Sequence, residues 1–243
     1  MIGAAAITGA SLHIVHINST CGADAPECLA MVEGARARGL DVTTEAYPYI
    51  AGMTSINSAL FNPGWQEKLG IAYSDLVLPD TGEHLTKERF EELHNSTVTR
   101  SILTFSNTQE LVDKVIPNPL VMIASDGAIG HPRNAGTFSR VLAQYVREKQ
   151  TLTLMDAVRK MTLMPAQVLE RSTPAGHGKG RLQEGADADI VVFDPATIAD
   201  RATFKSPMEA SVGVRYLVVG GTLLIDQSTL VKDVFPGRAL LPH

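Results

Sequence analysis

Apolar runs of strand length alternate along the first two thirds of the chain with segments of helical spacing. Leu12 to Asn18 is a short apolar run that turns polar at its end. It is followed by Asp24-Ala25-Pro26-Glu27, a capping residue, a proline and an acid in the order that opens a helix. That helix is predicted through Val32 and Ala35 and closes on Arg36, Arg38 and Gly39. Further strands are predicted at Val42 to Tyr49, Ser101 to Phe105 and Pro119 to Ala124, the last ending abruptly in Ser125-Asp126-Gly127. Thr108 caps a helix through Leu111, Val112 and Val115. Phe138, Val141, Leu142, Tyr145 and Val146 form one apolar face, and Thr153 and Pro165 open two more helices. Residues 52–98 read as a long insertion, with turns at Pro63-Gly64 and Asp80-Thr81-Gly82 and a helix from Thr86 to Leu93. The opening Met1-Ile2-Gly3-Ala4-Ala5-Ala6 has no capping residue and reads as entry into the middle of a helix.

From about residue 180 the pattern changes. Asp189 to Asp194 is a compact strand, and Tyr216 to Asp226 is two apolar runs around Gly220-Gly221, a hairpin signal. Two units are therefore expected, an alternating one over 1–179 and a small β domain over 180–243. Strand–helix alternation implies parallel strands with helices outside. Each of the four strands has an apolar body and a polar end: His16-Ile17-Asn18, Glu45-Ala46-Tyr47, Ser106-Asn107 and Ser125-Asp126. A (β/α)8 barrel gathers its active site at that face. An open doubly wound sheet would favour a glycine-rich phosphate loop, and Gly176-His177-Gly178-Lys179-Gly180 lacks the spacing for one.

Charge and composition exclude some partners. A net charge of −5 with no basic stripe argues against nucleic acid. No apolar run approaches the roughly 20 residues of a membrane helix, and a soluble, cytoplasmic protein is expected. Cys21 and Cys28 are too few for a disulfide framework and are expected as free thiols.

Asp126 is the sharpest chemical candidate. A carboxylate directly after an apolar strand is costly unless paired or metal-bound, although an Asx-turn residue would look the same. His13 and His16 lie three apart, so on a strand they face opposite sides; His16 is expected at the barrel mouth and His13 toward the helices. Glu45 and Tyr47 share a face, and Glu45 could bind a metal or a substrate amine, or pair with an arginine. His131-Pro132-Arg133 supplies a basic pair beside the acid, suited either to a substrate carboxylate or to a salt bridge with Asp126. Trp65 and Cys28 read as packing residues.

LHIVHINS (12–19), EAYPYIAG (45–52), IASDG (123–127), HPRNAGTFSRVLAQYVRE (131–148), DAVRKMTLMPAQVL (156–169), GRLQEGADADIVVFDP (180–195) and PGRAL (236–240) together resemble the N-acyl-D-amino-acid deacylase branch of the amidohydrolase superfamily. The match is weakest over 53–118. The resemblance implies the C-terminal half of a (β/α)8 barrel, strands five to eight, with a small β domain and a zinc cofactor. It implies that His16 is a metal ligand on the fifth strand, that Asp126 after the eighth is the general acid/base, and that Arg133 holds the substrate α-carboxylate, with His131 beside it and Glu45 as a second possible ligand. Two departures stand out. The HxH pair of the first barrel strand is absent, and Glu45 and Tyr47 stand where relatives carry a histidine at the end of the sixth strand. The chain is accordingly expected to be a truncated form that binds zinc weakly and hydrolyses little alone. Alternatives are a non-catalytic half barrel closed by a second copy or a separate N-terminal half, and another activity such as dihydroorotase-like cyclic amide hydrolysis.

Overall fold

The computed structural model describes residues 1–241; the last two residues of the expected 180–243 unit lie outside the described part. Helix α1 (Ile2–Thr8) leads into strand β1 (Leu12–Ile14), and a single turn of helix, α2 (Ile17–Thr20), precedes α3 (Ala25–Ala37) and β2 (Val42–Ala46). Next come β3 (Gly52–Ser55), α4 (Trp65–Leu69), β4 (Leu76–Val77), α5 (Lys87–His94) and β5 (Ser101–Thr104). Then follow α6 (Gln109–Val115), β6 (Val121–Ile123) and α7 (Arg133–Arg140), which continues in π-type turns to Glu148. Helices α8 (Leu154–Met161) and α9 (Leu163–Leu169) complete the alternating part, and the tail holds β7 (Ile190–Phe193), β8 (Val214–Val219), β9 (Thr222–Asp226) and β10 (Thr229–Leu230).

Strands β1, β2 and β6 form a parallel sheet in that order, with His13 opposite Thr43 and Glu45 opposite Met122. One face is the hydrophobic core: Ile14, Val42, Ala46, Val121 and Ile123 pack with Leu29, Val32 and Ala35 of α3 and with Leu111, Val112 and Val115 of α6. Strand alternation puts His13, Thr43 and Glu45 on the other face. His13 therefore points away from the helices, opposite to expectation, and bonds to Thr43 and Glu45 there.

The parallel sheet has three strands, not the expected four. Ser101–Thr104 pairs antiparallel with both β3 and β4 in a separate sheet of order β3-β5-β4. Its apolar run followed by a Thr108-capped helix is locally indistinguishable from a barrel βα unit; the pairing partner, set by tertiary contacts, is what differs. Residues 52–105 are thus a folded insertion with a core of their own, in which Phe61, Trp65 and Phe90 pack edge-on or tilted with centroids 5.4–5.8 Å apart.

Cys21 and Cys28 are paired in a disulfide, which corrects the expectation of free thiols. The turn through Gly22–Asp24 folds the start of α3 back over α2 and brings the two Cα atoms to 6.6 Å, within bridging range.

The tail forms an antiparallel sheet of order β10-β9-β8-β7, with the predicted turn at Gly220 and Gly221, both at positive φ. Its faces are open to solvent: Val191 is 49% exposed and Leu230 64%. The segment before β8 is anchored differently. Ile198 joins the main core, Arg147 donates to its carbonyl at 2.7 Å, and Asp200 pairs with Arg140 at 3.0 Å. Among the described residues no helix is long and apolar enough to cross a membrane.

Candidate active site

The ends of the parallel strands carry the polar residues. His16 lies two residues after β1 and Asp126 three after β6, and both sit in the left-handed region, at φ 31° and 45°. His16 precedes α2 and Asp126 lies in the irregular loop after β6. Asparagine and aspartate tolerate this region better than most residues, histidine at some cost. After Asp126 the loop closes tightly: a Cβ on Gly127 would lie 2.6 Å from the Asn134 side-chain oxygen, so a larger residue there would displace that exposed side chain.

Asp126 pairs with Arg133, Oδ2 to Nη2 at 2.8 Å. The two groups differ in burial: the Arg133 side chain is 2% exposed and that of Asp126 is 37% exposed. The guanidinium lies over the ring of Tyr47, 4.6 Å from its centroid, a cation–π contact. Its Nε and Nη1 are buried without a hydrogen-bond partner among the described residues, as is the Tyr47 hydroxyl. Burial raises the Tyr47 pKa, so that hydroxyl stays protonated and able to donate. Gly52 opens space beside it. A Cβ there would come within 3.0 Å of Thr104 Oγ1, 3.3 Å of the Tyr47 hydroxyl and 3.4 Å of Ser19 Oγ. The result is a small polar cradle with donors in excess of acceptors.

His131 supports this cradle from behind. Its ring is fully buried; Nε2 donates to the Ala51 carbonyl at 3.0 Å, and Nδ1 accepts from the Arg133 backbone N–H at 3.0 Å. Both nitrogens are committed to backbone, which specifies the neutral Nε2–H form. Burial, reinforced by the Arg133 charge, pushes its pKa down to about 3. Tyr49 and Phe204 meet the ring edge-on at 5.4 and 5.2 Å.

His16 adjoins this group from the other side, its ring 6.3 Å from that of Tyr47, with Nδ1 bonded to Thr20 Oγ1 at 3.1 Å. Glu45 stands apart from Asp126 and Arg133 and pairs with His13 Nε2 at 3.3 Å. The structure therefore brings Asp126, Arg133 and Tyr47 into contact, with His131 behind them and His16 at the edge. The sequence pattern puts His13 on the helix side and so misses the His13–Glu45 pair. Their positions opposite and two residues beyond Thr43 in a parallel register are the signal that finds them. Among the described residues, no three His, Cys, Asp or Glu side chains gather so as to hold a metal ion.

Comparison with known proteins places this arrangement. A family model described as "Amidohydrolase family" matches residues 10–225. The chain is 34% identical over 223 residues to an N-acyl-D-glutamate deacylase of Alcaligenes xylosoxydans xylosoxydans, covering 87% of this chain and 44% of that protein. It is 32% identical over 212 residues to a D-aminoacylase of the same organism, covering 80% of this chain and 41% of the relative. The crystal structure of N-acyl-D-glutamate deacylase from Bordetella bronchiseptica, complexed with zinc and a phosphonate inhibitor, superposes with a TM-score of 0.80 at 30% identity. That match covers 98% of this chain and 51% of the other. The chain thus spans about half the length of the relatives it matches. The α/β content and the parallel strands correspond to part of an amidohydrolase barrel. With most of its length matched by the family model, the chain belongs to the amidohydrolase family.

Proposed function

We propose that this chain carries the substrate-anchoring and proton-transfer part of an N-acyl-D-amino-acid deacylase, a zinc-dependent hydrolase of carbon–nitrogen bonds other than peptide bonds. The observation that carries the reading is the buried Arg133 guanidinium, stacked on Tyr47 with two nitrogens unpartnered and Asp126 on its third. A buried cation with unmet donors suits a planar anion, and an α-carboxylate is one. Arg133 and the Tyr47 hydroxyl anchor that carboxylate. Asp126 takes a proton from the attacking water and passes it to the leaving nitrogen, so that amide and water become carboxylate and amine. His131 holds the Arg133 backbone and does not itself touch substrate, because both its ring nitrogens are occupied.

The strand count bears on the metal. If β6, ending at Asp126, is the eighth barrel strand, then β1 is the sixth and His16 takes the place of the sixth-strand histidine of the relatives. The departure noted at Glu45 and Tyr47 then disappears, and Glu45 serves His13 in place of a metal. A catalytic zinc takes about three protein ligands, and the described residues do not assemble three. When bound, zinc would supply the activated water, and this chain would contribute His16 toward it. The same reading divides the chain into a barrel portion over 1–179 and a β domain over 180–243.

Calorimetric titration with N-acetyl-D-glutamate, its L-enantiomer and an N-acyl amine lacking the carboxylate tests the anchor. Binding is expected for the D-acid and absent for the amine; equal binding of all three would sink the reading. Elemental analysis after dialysis is expected to find well under one zinc per chain, and one tightly held zinc would contradict the ligand count.

A further inference from the structure

We propose that the Asp126–Arg133 pair is a substrate-operated latch: Asp126 masks the carboxylate-binding guanidinium, and an incoming substrate carboxylate displaces it and thereby frees it to act as the base. This rests on the reading of Arg133 as the carboxylate anchor. Three features point to it. First, Asp126 sits on Nη2, and both two-pronged edges of a guanidinium, Nε with Nη2 and Nη1 with Nη2, use that nitrogen. A second carboxylate bound by either edge brings its oxygens against those of Asp126, and like charges that close repel. Second, the groups are layered. Arg133 is 2% exposed with Nε and Nη1 buried and unpartnered, Tyr47 covers one face of the guanidinium at 4.6 Å, and Asp126 at 37% exposed is the member of the pair that reaches solvent. Third, the two ends of the pair are held unequally. The Arg133 backbone is fixed by the buried His131 ring, whereas Asp126 sits in the loop after β6 at φ 45° with no other ion-pair partner among the described residues. When the pair opens, Asp126 is the end that moves.

The latch couples the base to the right ligand. A compound without a carboxylate leaves Asp126 tied to Arg133, where its lone pair is engaged and its position fixed. A carboxylate ligand replaces one ion pair by another on Arg133 and sets Asp126 free. No net charge is left unpaired on the guanidinium in either arrangement.

The test compares affinities of N-acetyl-D-glutamate for the wild type, Asp126→Asn and Arg133→Lys, by calorimetry, with circular dichroism confirming the fold of each. Asparagine accepts the same left-handed backbone and removes only the competing charge. The latch predicts that D126N binds on the order of tenfold more tightly than wild type, while R133K binds more weakly. Because Arg133 is buried and its variant could fail to fold, the 15N resonance of the Arg133 Nε in the wild type is followed during the titration. It is expected to shift with the D-acid and to stay in place with the N-acyl amine. Unchanged or weaker binding by D126N, alongside loss in R133K, overturns the latch and leaves the carboxylate anchor standing. Absence of binding to all three proteins, with no Nε shift, overturns both.

Discussion

His131 ties the loop after Asp126 to the start of the insertion, and that role sets how the protein responds to acid. The ring is buried and neutral, with a pKa lowered to about 3 against an ordinary 6.5. Between those values the unfolded chain takes up a proton that the folded chain refuses. Its contribution to stability is therefore complete above pH 6.5 and is lost as the pH falls toward 3, by several kcal/mol across the window. In His131→Asn the side-chain oxygen can still accept from the Arg133 N–H, but the titrating ring is gone. Urea denaturation at pH 7, 5 and 4 is expected to show a less stable protein with a flatter acid dependence; an unaltered slope would assign the acid sensitivity elsewhere. At this scale Asp126 and His16 are legible in the sequence as polar residues at the ends of apolar strands, and His131 and Arg133 as a basic pair in the loop after Asp126. Their relations are not. Whether Arg133 would pair with Asp126 or await a ligand was open, and so was the commitment of both His131 nitrogens to backbone, since these depend on residues 80 positions away such as Ala51.

Helix α8 presents a different buried charge to the opposite end of β6. Lys160 is 2% exposed, and its Nζ donates to the Val121 carbonyl at 2.6 Å and to that of Asn118. Burial lowers its pKa from 10.5 to about 8. The unfolded chain binds more protons between these values, so stability rises with pH through that window and is lower below it. Lys160→Met should abolish that rise, which chemical denaturation at pH 7.5 and pH 10 would reveal; a slope equal to wild type would show that the carbonyls offset the burial. Elements were legible where a local cap or periodicity specified them. Thr108 and Thr153 each accept from the backbone N–H three residues on, as their spacing implies, and Thr86, expected only as the start of a helix, does the same. Strand β5 was recognised as a strand but assigned to the wrong sheet, because an apolar run says nothing of which neighbour it will pair with.

At the scale of the whole chain, a clamp centred on Arg140 helps to hold the segment before β8 to the barrel part. Arg140 pairs with Asp200, donates to the Pro48 carbonyl at 2.9 Å and lies 4.8 Å from the Tyr49 ring centroid. Arg140→Ala would leave the mostly buried Asp200 without its cation at a cost of about 1–3 kcal/mol. Faster hydrogen exchange is expected over residues 195–212, with β6 unchanged; uniform acceleration would mean that the tail is not a separately held segment. Beyond that clamp the β7–β10 sheet leaves Val191, Val192, Leu223 and Leu230 exposed.

Taken alone, the amino-acid sequence determined the family, the strand–helix alternation, the tail hairpin and the identities of the residues at the strand ends. These follow from local periodicity, capping and short motifs, all of which act between neighbours in the chain. Tertiary structure alone decided that three strands and not four lie parallel, that Cys21 meets Cys28, that His13 faces Glu45, and that Asp126 rests on a guanidinium buried against Tyr47. Each of these depends on which distant segments pack together. Burial and pairing of a charge are properties of that packing, and no local pattern encodes them.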